Sequence, residues 1–118
     1  MYNIIPTPRF LQDVEYYQKK KKYKKITNDI DTITDQLEKG HLLGDVIDGI
    51  GLVDGEDIYK VRAINTDTKQ GKSNGYRIIY YVIKNDSDIY LLTIYSKKDD
   101  DRVIDKNEIK NIIREYCK

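Results

Sequence analysis

Six side chains in the second half of the chain are of the types that hold an anion and handle a proton beside it: Lys60, Arg62, Lys72, Arg77, Lys97 and Lys98. Arginine stays charged and presents a planar fork of donors that matches a phosphate, whereas lysine is a compact point charge. The most telling stretch is residues 71–81, Gly-Lys-Ser-Asn-Gly-Tyr-Arg-Ile-Ile-Tyr-Tyr, in which a glycine-bounded loop carrying Lys72 opens into an apolar strand with Arg77 at its second position. Among Ile78, Ile79, Tyr80, Tyr81, Val82 and Ile83, that guanidinium is expected to emerge at the edge of a sheet face, where it suits a phosphate. In residues 58–63, Ile-Tyr-Lys-Val-Arg-Ala, Lys60 and Arg62 project on one face and Tyr59, Val61 and Ala63 on the other, because strand side chains repeat every two residues. Two cations therefore share a face.

Such side chains need a sheet to hold them, and the periodicity supplies one. In residues 9–22, Phe10, Val14 and Tyr17 recur at spacings of four and three, with Pro8 where a first turn tolerates proline, which predicts an amphipathic helix. Ile26, Ile30, Ile33 and Leu37 predict a second helix, closed by Gly40 just past its C-terminus, so the two make a helical hairpin. Glycines and aspartates mark residues 44–55 as loop, with Val46 and Ile47 as an apolar patch to tuck under a neighbour. Residues 58–66, 76–84 and 89–96 are rich in β-branched and aromatic residues, and the links between them read as an antiparallel meander. Ile109, Ile112, Ile113 and Tyr116 then share one helical stripe, with Asp105 as its cap. The expected fold class is α+β: two N-terminal helices on a small antiparallel sheet of three to four strands, the fourth at residues 3–5, and a C-terminal helix. In that meander the Arg77 strand lies beside that of Lys60 and Arg62, and the third strand ends on its far side in Tyr95-Ser96-Lys97-Lys98. One sheet is thus expected to present Lys60, Arg62, Arg77 and a lysine from 97–98, with Tyr80, Tyr81 and Tyr95 nearby.

At 118 residues the chain fits one domain, 1–118, with a core of its own. No apolar run approaches the roughly 18 residues of a membrane span. Residues 1–6 lack the basic and apolar stretches of a secretion signal, so a soluble, cytoplasmic protein without a membrane partner is expected. Cys117 is the only cysteine, which leaves no internal disulfide and no cysteine-built metal site, and His41 is the only histidine, which removes most other metal and acid–base options. A net charge of +1 conceals segregation: residues 19–25 are lysines interrupted only by Tyr23, residues 29–57 are mainly acidic, and residues 60–77 carry Lys60, Arg62, Lys69, Lys72 and Arg77 against Asp67 alone. Local fields of this kind, rather than total charge, decide where a polyanion sits.

Four blocks in register resemble the RelE/ParE superfamily of toxins from bacterial type II toxin–antitoxin systems, and most of all its HigB-type branch. They are Gly44-Asp45-Val46-Ile47, Tyr59-Lys60-Val61-Arg62, residues 71–81, and residues 90–98, Tyr-Leu-Leu-Thr-Ile-Tyr-Ser-Lys-Lys. The resemblance implies a ribosome-dependent, metal-independent endoribonuclease, without a small-molecule cofactor, that cuts messenger RNA in the ribosomal A site and is neutralised by a cognate antitoxin. The implied reaction is attack of a ribose 2′-hydroxyl on the adjacent phosphate, which needs a base, an acid for the leaving 5′-oxygen, and cations for the phosphorane. With no histidine in the four blocks, lysine and tyrosine must share the proton transfers, and an aromatic ring can stack on an unpaired base. By position, the resemblance makes Lys60, Arg62, Arg77 and Lys98 the catalytic set, and Lys72, Tyr81, Tyr95 and Lys97 the RNA-binding set. Lys97 is the neighbour of Lys98 in the basic pair that ends the strand.

The chain departs from the family pattern at Ile104, six residues after the basic pair, where the best-understood relative has a tyrosine, and at Asn74, where many relatives have glycine. Asparagine tolerates left-handed backbone geometry, so the second departure is mild. Blander readings stand beside each feature: a structural salt bridge for Arg77, a solvated sheet face for Lys60 and Arg62, a solvated helix end for the lysine run, and a helix-end role for His41. The loop at 71–75 lacks the spacing and the following helix of a nucleotide-binding loop. Two other functions stay open, a ParE-like inhibitor of DNA gyrase that cleaves nothing and a degenerate antitoxin-binding or co-repressor module, since a shared fold does not fix function.

Overall fold

The computed structural model describes residues 1–117. The elements run β1 (Asn3–Pro6), α1 (Pro8–Lys19), α2 (Ile26–Glu38), β2 (Asp45–Val46), β3 (Glu56–Ala63), β4 (Tyr76–Ile83), β5 (Asp88–Ser96), a short 3-10 turn at Asp100–Arg102, and α3 (Lys106–Tyr116). The class is α+β, as the periodicities require. β3, β4 and β5 form the expected antiparallel meander, but the sheet is larger and mixed, with five strands in the order β1-β5-β4-β3-β2. β1 adds to β5 in parallel, and Thr7 fastens that edge by donating from its hydroxyl to Leu91 O at 2.8 Å while capping α1 through the N–H of Phe10. One residue thus satisfies an orphan N–H of the helix and ties the helix to the sheet.

At the opposite edge β2 pairs antiparallel with β3, Asp45 opposite Lys60 and Val46 opposite Tyr59. Val46 therefore does not tuck under a neighbour; it is about half exposed, and Ile47 alone packs inward. Gly44 makes the pairing possible: its φ is +98°, and a Cβ there would lie 2.4 Å from Lys60 O.

The sheet is covered on both sides. Phe10 and Tyr17 of α1 and Ile26, Ile30, Ile33 and Leu37 of α2 bury one face with Val61, Ala63, Tyr76, Ile78, Tyr80 and Val82. Ile109, Ile112 and Ile113 of α3 cover part of the other with Ile58, Ile79, Tyr81 and Leu92. β4 lies at the centre and is buried on both faces, which is why it reads as an almost unbroken apolar run.

α1 stops at Lys19, short of the expected 22. Lys22 adopts a left-handed φ of 62°, and a run of like charges has no helical incentive to continue. Tyr23 folds back so that its ring stacks on Tyr17, centroids 5.9 Å apart. The long loop after β3 is tied to the start of α2: Thr66 N–H donates to Asp29 at 2.8 Å, and Lys25 N–H donates to Asp67 at 2.9 Å. Asp29, counted with the acidic segment in sequence, is thus a buried structural acceptor. His41 is a helix-end residue, its ring paired with Gln36.

Candidate functional site

The face of the sheet that α3 leaves uncovered forms an open cleft of about 780 Å³. Strand register builds its floor. Arg62 on β3 lies opposite Arg77 on β4, which lies opposite Tyr95 on β5, so these three side chains form a row across the sheet. Lys60 sits two residues from Arg62 on the same face, while Val61 and Ala63 between and beyond them are buried on the helical side. The alternation expected from sequence is therefore present. Lys72 and Lys97 complete the cationic lining, and Asp45, Asp100 and Val103 form part of the rim.

The turn at 71–75 is held by glycine and by Arg77 itself. A Cβ at Gly75 would lie 2.1 Å from Ala63 O, so only glycine lets this loop close against β3, and Gly75 O accepts from Lys97 N–H at 2.9 Å. Loop, β3 and the end of β5 are thereby stitched together at the mouth of the cleft. Asn74 is not among the left-handed residues, so asparagine's tolerance of that geometry is unused.

Arg77 differs from expectation in its surroundings. It is 8% exposed rather than projecting, and its guanidinium donates from Nη1 to Lys72 O and Tyr76 O, both at 3.1 Å, and from Nη2 to Ser73 O at 3.0 Å. No carboxylate pairs with it among the described residues, so the salt-bridge reading falls. Carbonyls supply partial charge but no neutralisation, and three hydrogen bonds do not exhaust a guanidinium that carries five N–H groups. Burial, and then the charge of Arg62 opposite, hold the guanidinium below its ordinary pKa, with Tyr95 acting the other way. Tyr95 is 5% exposed and lines the cleft; burial raises its phenol pKa, and Arg77 draws it back down.

Lys60, Arg62, Lys72 and Lys97 also have no ion-pair partner among the described residues. Five cations thus converge without an ion pair among the described residues, against two rim carboxylates, Asp45 and Asp100, an excess of positive charge that favours a bound polyanion. Two of the eight residues named from sequence lie elsewhere. Lys98 is exposed on the turn after β5, outside the cleft lining, with its N–H directed to Ser96 Oγ. Tyr81 is fully buried beneath α3, its hydroxyl donating to Glu56 at 2.6 Å and its ring stacked on Tyr90. Ile104 is a core residue of the same layer.

The sequence reading missed the supports of the cleft's outer wall. Asp13 on α1 is 2% exposed and accepts from Arg9 Nε at 3.2 Å and from Arg102 Nη2 at 2.9 Å, while the Arg102 guanidinium lies 3.7 Å from the Tyr16 ring centroid. Tyr17 donates to Asp99 at 2.8 Å and accepts from Ser96 N–H at 2.7 Å; its burial holds the phenol in the neutral form. These contacts fix the segment that carries Lys97, Asp100 and Val103. The signal available was the Arg9–Asp13 spacing of four on a helix, which by itself reads as a surface pair.

Among the described residues, no helix is long and apolar enough to cross a membrane. No curated protein matches the chain in sequence. A family model described as the ParE toxin of type II toxin–antitoxin system, parDE, matches residues 4–101. That span runs from β1 through β5 to the 3-10 turn and includes every residue lining the cleft except Val103. With most of its length matched and its sheet, helices and cationic floor in the order set out above, the chain belongs to the ParE toxin family, within the RelE/ParE superfamily, and is the toxin of a type II toxin–antitoxin pair with a cognate antitoxin as its partner.

Proposed function

We propose that this toxin is a ribosome-dependent endoribonuclease of the HigB-type branch, acting in the cytoplasm on messenger RNA in the ribosomal A site. The observation that carries the reading is the row Arg62–Arg77–Tyr95, flanked by Lys60, Lys72 and Lys97, in which cations face a cleft without carboxylate partners. A phosphodiester placed over that row meets the exposed fork of Arg62 and the charge of Arg77, which lines the cleft. Both stay charged and oppose the charge that develops on the phosphorane as the 2′-oxygen attacks. Lys60 and Tyr95 are the groups placed to exchange protons with the attacking and leaving oxygens, and the Tyr95 phenol is kept in its protonated form by burial.

The test is expression from a tightly repressed promoter with mapping of messenger 5′ ends, using Arg62→Ala as the control. Cleavage within translated frames that disappears in the control supports the nuclease. Growth arrest with intact messengers overturns it.

A second reading, inhibition of DNA gyrase, is favoured by the match to the parDE toxin family and by Ile104, which places an apolar core residue where the best-understood nuclease relative has a tyrosine. It requires no proton transfer at the cleft. Purified toxin would then block supercoiling by gyrase in the absence of ribosomes. Absence of both activities would leave the antitoxin-binding or co-repressor role.

A further inference from the structure

The lysine-rich connection between α1 and α2 lies beside the cleft, and neither the fold nor the proposed chemistry accounts for its charge. Lys21 reaches Asp99 at 3.5 Å on the turn next to Lys97 and Lys98, and Lys25 N–H reaches Asp67 in the loop that leads to the cleft. The Tyr23 ring packs against Tyr76, the first residue of β4, with centroids 6.4 Å apart. These contacts hold the connection at the same end of the sheet as the glycine-bounded loop. Around those anchors Lys20, Lys22, Lys24 and Lys25 are exposed, and among the described residues none has a carboxylate within ion-pairing distance. Lys97, which lines the cleft, and Lys98 beside it precede the Asp99 that Lys21 reaches, and both are likewise exposed without an ion pair among the described residues.

An ordinary solvated helix end disperses its charge or pairs it, as Lys19 does with Glu15 on the last turn of α1. Here the two acids that touch the connection are already engaged, Asp99 by Tyr17 and Lys21 and Asp67 by a backbone N–H, while Asp100 and Asp101 make no ion pair with these lysines. Unpaired cations on an anchored loop that reaches the same end of the sheet as a cationic cleft repel one another unless an anion lies over them. We infer that the α1–α2 connection is a second contact for the same polynucleotide, gripping backbone phosphates beyond the nucleotide seated in the cleft. Lys98, which lies outside the cleft lining, belongs to this track. The contact reads charge and not sequence or sugar, because exposed lysine ammonium groups carry no base-edge pattern. It rests on the reading that the cleft holds a phosphodiester.

The test uses the whole toxin and a variant combining Lys20→Gln, Lys22→Gln, Lys24→Gln and Lys25→Gln. Binding is measured by fluorescence anisotropy to a labelled trinucleotide and to a single strand several times longer, each as RNA and as DNA, across a salt series. Circular dichroism establishes that the variant is folded, and Arg62→Ala reports on the cleft. The expected result is weaker binding of the longer strand only, equal for RNA and DNA, with the slope of log affinity against log salt reduced by about 0.7 for each phosphate contact removed. If Arg62→Ala weakens both probes while the lysine variant binds the longer strand with unchanged affinity and slope, this inference falls and the cleft reading stands. Loss confined to RNA would overturn the charge-only contact. If the wild-type toxin binds neither probe in a manner dependent on Arg62, this inference falls, and the ribosome-dependent reading is decided by the messenger mapping above.

Discussion

Arg77 and Arg102 are both arginines withdrawn from solvent near the same end of the sheet, yet their charges are handled in opposite ways. Arg102 meets the buried carboxylate of Asp13 and the face of Tyr16, so its charge is neutralised and its role is architectural. Arg77 meets only backbone carbonyls and faces a second arginine, so its charge has no counter-ion among the described residues. Burying a charge is costly unless it is paired, and this fold neutralises one arginine but not the other, which is the ground for proposing the second as a binding group. The difference teaches that exposure alone does not identify the functional cation. What identifies it is the absence of a counter-charge where the geometry offers room for one.

Removing the counter-charge should give the largest effect. Asp13→Ala leaves Arg102 and Arg9 without their shared carboxylate and leaves the Thr93 hydroxyl without its acceptor. The expected loss is about 3–5 kcal/mol, read as a lowered urea midpoint. A shift below about 1 kcal/mol would mean that water replaces the carboxylate easily and that the two arginines differ less than their contacts imply.

Arg77→Ala comes next, at about 1–3 kcal/mol, because three loop carbonyls lose a charged donor. It should also abolish growth inhibition, but the two losses are entangled, since the carbonyl of Lys72 is one of those released. Arg77→Lys separates them: an ammonium restores charge without the fork, so recovery of stability without recovery of toxicity assigns the guanidinium to the ligand as well as to the loop. Equal recovery of both would make Arg77 a positioning residue alone.

How far these residues were legible in sequence depends on the distance over which each pattern acts. Lys60 and Arg62 were placed correctly because the two-residue period of a strand is a local property, and the meander that brings Arg77 beside them follows from short links. Tyr80 and Tyr81 were both expected near the cations, but Tyr80 lies on the opposite face under α1 and α2, and Tyr81 shares the face of Arg77 only at its other end. It lies four residues beyond Arg77, about 13 Å along the strand, where α3 covers the sheet. Nothing local to β4 says where a helix thirty residues later will lie. The carbonyl ligands of Arg77 leave no residue signature, since every residue has a carbonyl. The parallel pairing of β1 with β5 rests on Ile4 and Ile5, too few residues for a period to show.

The two ends of that face can be distinguished by a smaller change. Tyr81→Phe removes one hydrogen bond to Glu56 and should cost about 1 kcal/mol without altering growth inhibition, whereas Tyr95→Phe should reduce inhibition at little cost in stability. Reduced inhibition by Tyr81→Phe at unchanged stability would return it to the site. Its burial, followed by the hydrogen bond and charge of Glu56, raises the phenol pKa, and burial does the same for Tyr17, Tyr76 and Tyr80. For an acid whose folded pKa is raised, the stabilisation is complete below the unfolded value, about 10, and is lost as pH rises beyond it. Urea midpoints should therefore hold from neutral pH to about 9 and fall above about 10, less steeply in Tyr81→Phe.

Arg62→Ala should have the smallest effect on stability and one of the largest on activity. Its side chain is exposed on the open half of the sheet face and pairs with no carboxylate among the described residues, so stability should change by no more than about 0.5 kcal/mol. The charge of Arg62 also disfavours the ionised guanidinium of Arg77, so its removal should, if anything, relieve repulsion and raise the urea midpoint slightly. A variant that is more stable but no longer toxic would show that like charges are held side by side at a cost to the fold, which is the expected arrangement for a site that binds an anion. Stability lost in parallel with toxicity would place Arg62 with Arg102, as a part of the architecture.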